Sequence, residues 1–155
     1  MPQSHEVSSE KTYRAIGRFV FEFSQVEYTI RVYLAEELGL HEDYFKAVVQ
    51  SYDVALLCKV AKEVFSKSRA NMNAAAINNL ISKFLELNEP RNRLAHGLWV
   101  PFKDGGTVHH VSRNSFKSID AANQAEKLEE LANELSNLRG QLDQEFYNLV
   151  FTHKL

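Results

Sequence analysis

Arg91, Asn92 and His96 lie within the six-residue run Arg91-Asn92-Arg93-Leu94-Ala95-His96. The run supplies a permanent cation, an amide and a group that titrates near neutrality. Histidine can take a proton from a ribose 2'-hydroxyl or return one to a leaving oxygen, because its charge changes close to neutral pH. A guanidinium stays charged throughout and offers a planar fork matched to phosphate oxygens. An amide can orient either group or bind the substrate itself. Together the three suit phosphodiester chemistry. RNA carries its own nucleophile in the 2'-hydroxyl, so such a site could cut it without a metal. Arg93, inside the same run, is a candidate substrate contact.

The spacing has meaning only on a helix. At 3.6 residues per turn, Asn92 and His96 are one turn apart and share a face, while Arg91 and His96 differ by roughly 140° around the axis. The stretch from about Ala74 to Gly97 has that periodicity, with Ile77, Leu80, Ile81, Phe84, Leu87 and Leu94 on one side. Arg91 projects near the middle of this apolar stripe, where a charge must find partners or reach along the surface. Pro90 lacks a backbone donor and crowds the preceding turn, so the helix is expected to kink or restart there. Two plainer readings of the run stay open: Arg91 as a capping or salt-bridge residue, and His96 as a partly buried core residue.

Further helices must position this run. The first is expected from a cap at Ser8 or Ser9 to Leu38, with Gly39 as its stop. Ile16, Phe19, Phe23, Val26, Ile30 and Tyr33 recur on it at spacings of three and four, and Val20 and Leu34 widen the stripe. Glu27 stands in line with Val20 and Leu34 and interrupts the apolar row. A carboxylate there needs a partner, and Arg91 is a candidate, with Ser24 one turn away in the same network. The alternative is a solvated Glu27 at the stripe edge.

A second helical region spans about Glu42 to Ser66, in which Gln50-Ser51-Tyr52-Asp53 could mark a break into two helices. Ser66 to Asn73 reads as a loop. Leu98–Phe102 and Thr107–Val111 flank Lys103-Asp104-Gly105-Gly106 and read as a short β-hairpin, with Pro101 suited to an edge. His109 and His110 lie on its second strand as candidate substrate contacts. Adjacent strand residues face opposite ways, so at most one of them could enter a given site. The last helix is expected from Ser118 or Asp120 to about Phe151, with Leu128, Leu131, Leu135, Leu138, Leu142, Phe146 and Leu149 repeating almost as a heptad. That repeat fits an internal bundle helix or a dimerising seam.

The composition limits the alternatives. The chain has 155 residues, of which 45% are hydrophobic and 25% charged, with 3 Pro and 6 Gly. This fits one soluble domain, residues 1–155, built from long helices. A net charge of -2 argues against coating nucleic acid through bulk charge and leaves room for a local basic cleft. Cys58 is the single cysteine and lies in the apolar run Val54-Ala55-Leu56-Leu57-Cys58, which suits a buried small hydrophobe better than a catalytic thiol. The six histidines form no metal-binding helical pair, and no phosphate-cradling Gly-rich loop or serine-hydrolase motif is present. Neither a metal nor a cofactor is expected. The polar start of the chain and the lack of any stretch near the ~18 apolar residues of a membrane span lead to the expectation of a cytoplasmic protein with no membrane partner.

The Arg91-to-His96 run resembles the HEPN superfamily, whose members carry Arg, a polar residue, three further residues and His near the end of a bundle helix. The exit Gly97-Leu98-Trp99 and the early-helix stretch Phe23-Ser24-Gln25-Val26-Glu27-Tyr28 are also similar to members of that group. The resemblance implies an all-α, HEPN-like bundle of four to five helices, here with the small β-hairpin inserted before the last long helix. It implies a homodimer in which two such motifs meet. It implies metal-independent ribonuclease action within toxin–antitoxin, phage-defence or RNA-processing systems, with RNA or nucleotide as ligand and a cognate antitoxin or other protein as partner. On this sequence His96 would be the acid/base, Arg91 the phosphate-binding group and Asn92 the orienting residue. Other members are inactive, which leaves a non-catalytic module binding nucleotide, RNA or protein as the second expectation.

Overall fold

The computed structural model describes residues 3–68, 73–100, 107–112, 115–119 and 124–152, most of them helical. Among the described residues there are five helices: α1 (Gln3–Glu37), α2 (Glu42–Val48), α3 (Val54–Lys67), α4 (Ala74–His96) and α5 (Gln124–Thr152). The architecture is an all-α bundle in its helical body. Between α4 and α5 stand three short strands, β1 (Leu98–Val100), β2 (Thr107–Ser112) and β3 (Ser115–Ile119), paired antiparallel in the order β1-β2-β3.

Helix α1 starts earlier than a cap at Ser8 or Ser9 would have it, because no glycine or proline stands between Gln3 and Ser9 to stop it. Its end follows the expectation. Gly39 adopts a φ of 63°, a conformation that costs glycine nothing. The Gly39 amide donates to the Glu36 carbonyl and the Leu40 amide to the Ala35 carbonyl, each at 3.0 Å, the paired closure of a Schellman motif. Phe19, Phe23, Val26, Ile30 and Leu34 form the buried face. Val20 does not widen it: it stands 100° round from Phe19 and is 45% exposed.

The break between α2 and α3 falls within the expected polar run. The Asp53 carboxylate caps α3 by accepting from the Leu56 amide at 2.8 Å. Helix α2 buries no residue of its own, and the segment after it is held from α1. Arg31, a buried arginine, donates to the Val49 and Tyr52 carbonyls, the latter at 2.7 Å, and pairs with Glu27. The loop expected at Ser66–Asn73 starts later, since α3 runs to Lys67, and residues 69–72 lie outside the described ones, as do Pro101 and the turn at 103–106.

The start of α5 differs from the sequence expectation. Ser118 belongs to β3, paired with His109, and the helix begins at Gln124. Pairing with β1 leaves β2 a second edge of free backbone groups, and Ser115–Ile119, with an aromatic and a β-branched residue, occupies it. Asp120 lies outside the described residues.

The chain groups into two compact units, Met1–Phe23 with Asn88–Glu134, and Ser24–Leu87 with Leu135–Leu155. Each draws on two separate stretches of chain, and α1, α4 and α5 supply residues to both. In the first unit, Thr12, Ala15, Phe19 and Phe23 are buried with Ala125, Leu128 and Ala132. Lys11 pairs with Glu126, and Arg18 with Glu129 and Asn133, so α1 and α5 are also tied at the surface. In the second unit, α3 and α4 bury Leu57, Ala61, Phe65, Ile77, Ile81 and Phe84, and α5 adds Leu135, Leu142 and Phe146. The Phe146 ring stacks on Tyr33 at 4.0 Å and tilts against Phe65 at 5.0 Å.

Candidate functional site

The end of α4 carries the Arg91-to-His96 run. The helix neither stops nor restarts at Pro90 but continues to His96. Its apolar positions before the proline are buried through Leu87, and that packing offsets the loss of the one hydrogen bond that Pro90 cannot donate to the Glu86 carbonyl. Beyond His96 the Gly97 amide donates to the Arg93 carbonyl at 2.8 Å, and β1 begins at once. Arg93 and His96 therefore occupy the last turn, where a positive charge is favoured by the helix dipole.

The two arginines of the run are held differently. Arg91 is half-buried, as its place on the apolar stripe requires. Its Nη1 donates to the Asn92 Oδ1 at 3.1 Å, and its guanidinium carbon lies 5.8 Å from the centre of the Phe23 ring. Both of these partners are neutral, so neither of them cancels the charge of Arg91. Arg93 is exposed and forms an ion pair with Glu89, one turn back on the same helix. Such surface pairs are weak, so Arg93 can exchange Glu89 for a ligand anion at small cost.

His96 is exposed, which removes the reading of it as a partly buried core residue. Among the described residues the partners of Arg91 are Asn92 and Phe23, and none of them is acidic. Asn88, one turn before Asn92, has a buried Oδ1 with no hydrogen-bond partner among the described residues.

The supporting residues are arranged differently from the expectation. Ser24 and Glu27 belong to the other compact unit, Ser24 being exposed. Glu27 is half-buried and takes Arg31 as its cation. Within its own unit Glu27 has the local pair with Arg31, and Arg91 within its own has Asn92 and Phe23. Sequence reasoning missed Arg31, although a Glu followed four residues later by Arg is the orientation that favours a helical ion pair. His109 and His110 lie on β2, His109 in register with Leu98 and Ser118 and His110 with Lys117; their side chains lie outside the described residues.

Cys58 is fully buried, and burial pushes its thiol up to about 12, so it stays protonated and inert at neutral pH. Burial and the nearby Asp143 carboxylate also raise the Tyr33 hydroxyl. Among the described residues no group of His, Cys, Asp and Glu is placed to hold a metal ion, and no helix is long and apolar enough to cross a membrane. No family model, curated protein or solved structure matches this chain.

Proposed function

We propose that the chain is a metal-independent endoribonuclease of HEPN type, a cytoplasmic homodimer serving as a toxin, a phage-defence protein or an RNA-processing component. The observation that supports this reading is a half-buried guanidinium, held by neutral partners, on the same helix end as an exposed histidine. In the proposed reaction His96 takes the proton of the ribose 2'-hydroxyl. The 2'-oxygen attacks phosphorus, the bond to the 5'-oxygen breaks, and that oxygen leaves with a proton from solvent water, while His96 afterwards gives its proton back to solvent. The product ends are a 2',3'-cyclic phosphate and a 5'-hydroxyl. Arg91 binds the non-bridging oxygens as negative charge builds on them, and Asn92 keeps the guanidinium aimed. Arg93 contributes an outer phosphate contact.

The test is RNA cleavage in the presence of EDTA by wild type and His96→Ala, with folding matched by circular dichroism. Wild type is expected to leave 2',3'-cyclic phosphate ends, and His96→Ala to fall by at least about 100-fold. Equal cleavage by both proteins sinks the assignment of His96. A second reading, a non-catalytic module binding RNA, nucleotide or a partner protein such as an antitoxin, is favoured by the net charge of -2 and by the pairing of Arg93 with Glu89. Binding without cleavage across several RNA classes would select it.

A further inference from the structure

The orientation of Arg91 is set from another helix. Phe23 comes from α1, is 2% exposed, and presents its ring 5.8 Å from the guanidinium carbon of Arg91. Both residues belong to the same compact unit. The face of an aromatic ring carries negative quadrupole density, which attracts a cation and restricts the rotamers of a long side chain lying over it. Phe23 is itself packed in the core: it is buried, and its ring lies 6.2 Å from that of Phe19. Asn92 adds a hydrogen bond from one residue along. The guanidinium thus meets an apolar ring and an amide, and neither neutralises it.

From this geometry we infer that Phe23 is a positioning residue for Arg91, preorganising the guanidinium for an anionic phosphate through its π face. The inference rests on the proposed phosphate-binding role of Arg91 only for its functional consequence; the ring–cation contact stands without it. An apolar side chain of similar bulk would fill the same space but would not hold the cation. A carboxylate in place of the ring would hold the cation and cancel its charge. An aromatic ring does the first without the second, which suits a group that must bind an anion.

Two substitutions separate this role from plain packing. Phe23→Leu keeps an apolar side chain and removes the ring. Replacing Phe23 with pentafluorophenylalanine keeps the ring's shape and inverts its quadrupole. The first readout, independent of any activity, is the Arg91 Nε–H resonance of the full chain. Ring-current shielding is expected to move it upfield in wild type, and Phe23→Leu is expected to return it to the ordinary arginine range. An Arg91 resonance identical in wild type and Phe23→Leu overturns the inference, whatever the protein does to RNA. The second readout is cleavage of a short single-stranded RNA. Both variants are expected to lower kcat/KM about three- to ten-fold, with part of the loss in kcat, because the affected contact is to a phosphate whose negative charge grows during the reaction. A pentafluorophenylalanine variant with wild-type kcat/KM overturns the electrostatic role. If wild type cuts no RNA, the ribonuclease reading fails, and the resonance still decides whether the ring holds Arg91.

Discussion

Arg91 and Arg93 are two positions apart and differ in burial, partners and residual charge. Arg91 meets a ring and an amide, whereas Arg93 meets a carboxylate. Their alanine variants are therefore expected to diverge. Arg91→Ala should lower kcat/KM for RNA cleavage about 100-fold, since it removes a charge aimed at the phosphate. Arg93→Ala should cost about three-fold and lose even that in high salt, as an exposed, already paired charge does. Similar losses in the two variants across a salt series would refute the distinction. Cys58 allows a pH test. Its folded-state value is raised from 9.0 to about 12, so the unfolded chain gives up the thiol proton first. The stability linked to the protonated thiol is complete below about pH 9 and is lost as pH rises towards 12, at about 1.4 kcal/mol per pH unit at most. Denaturant midpoints for wild type should fall faster with pH in that window than those for Cys58→Ala; parallel curves would show that the thiol is not buried as described. The chemical identity of these residues was plain in the sequence, and so was the helical spacing from Asn92 to His96. Their partners were not, because Phe23 lies 68 positions before Arg91 and nothing local pairs them.

The end of α1 and the start of α3 follow from local chemical signals, and the start of α5 from competition with a neighbouring strand. Gly39 and Asp53 belong to the first kind. A residue that tolerates positive φ ends α1, and a short carboxylate accepts a free amide at the start of α3. Asp53→Ala is expected to destabilise the protein by about 1 kcal/mol, read as a lower urea midpoint with an unchanged slope. No change would mean that the Arg31 clamp on Val49 and Tyr52 alone holds the α2–α3 connection. The start of α5 belongs to the second kind. Ser118 has the chemistry of a cap, but the open edge of β2 draws it into β3. Pro90 is the reverse case, a local breaker that the helix runs through because the preceding turns are anchored by Phe84 and Leu87. Boundaries were legible where the deciding residue acts on its own backbone, and not where a distant edge or core competes for it.

At the scale of the whole molecule, the long helices are amphipathic, and the units they build depend on a few large side chains. Phe146 touches Tyr33 of α1 and Phe65 of α3 from α5, so three helices meet at one ring. Phe146→Ala is expected to cost about 3–5 kcal/mol, measured by equilibrium denaturation, because the cavity opens among elements that cannot all close on it. A loss under about 1 kcal/mol would show that the ring is not central to packing. The all-α body, the near-heptad leucines of α5, the polar break before Asp53 and the Arg91-to-His96 run were determined by the sequence alone. Periodicity, capping and side-chain chemistry act within a few residues, so they can be read along the chain. Tertiary structure decided that Glu27 is held by Arg31, which also ties the Val49 and Tyr52 carbonyls, that Arg91 rests on the neutral ring of Phe23, and that Ser118 joins a third strand. These outcomes depend on which groups meet in space, and the free energy of a charge or a strand edge is settled by the partners that folding brings to it.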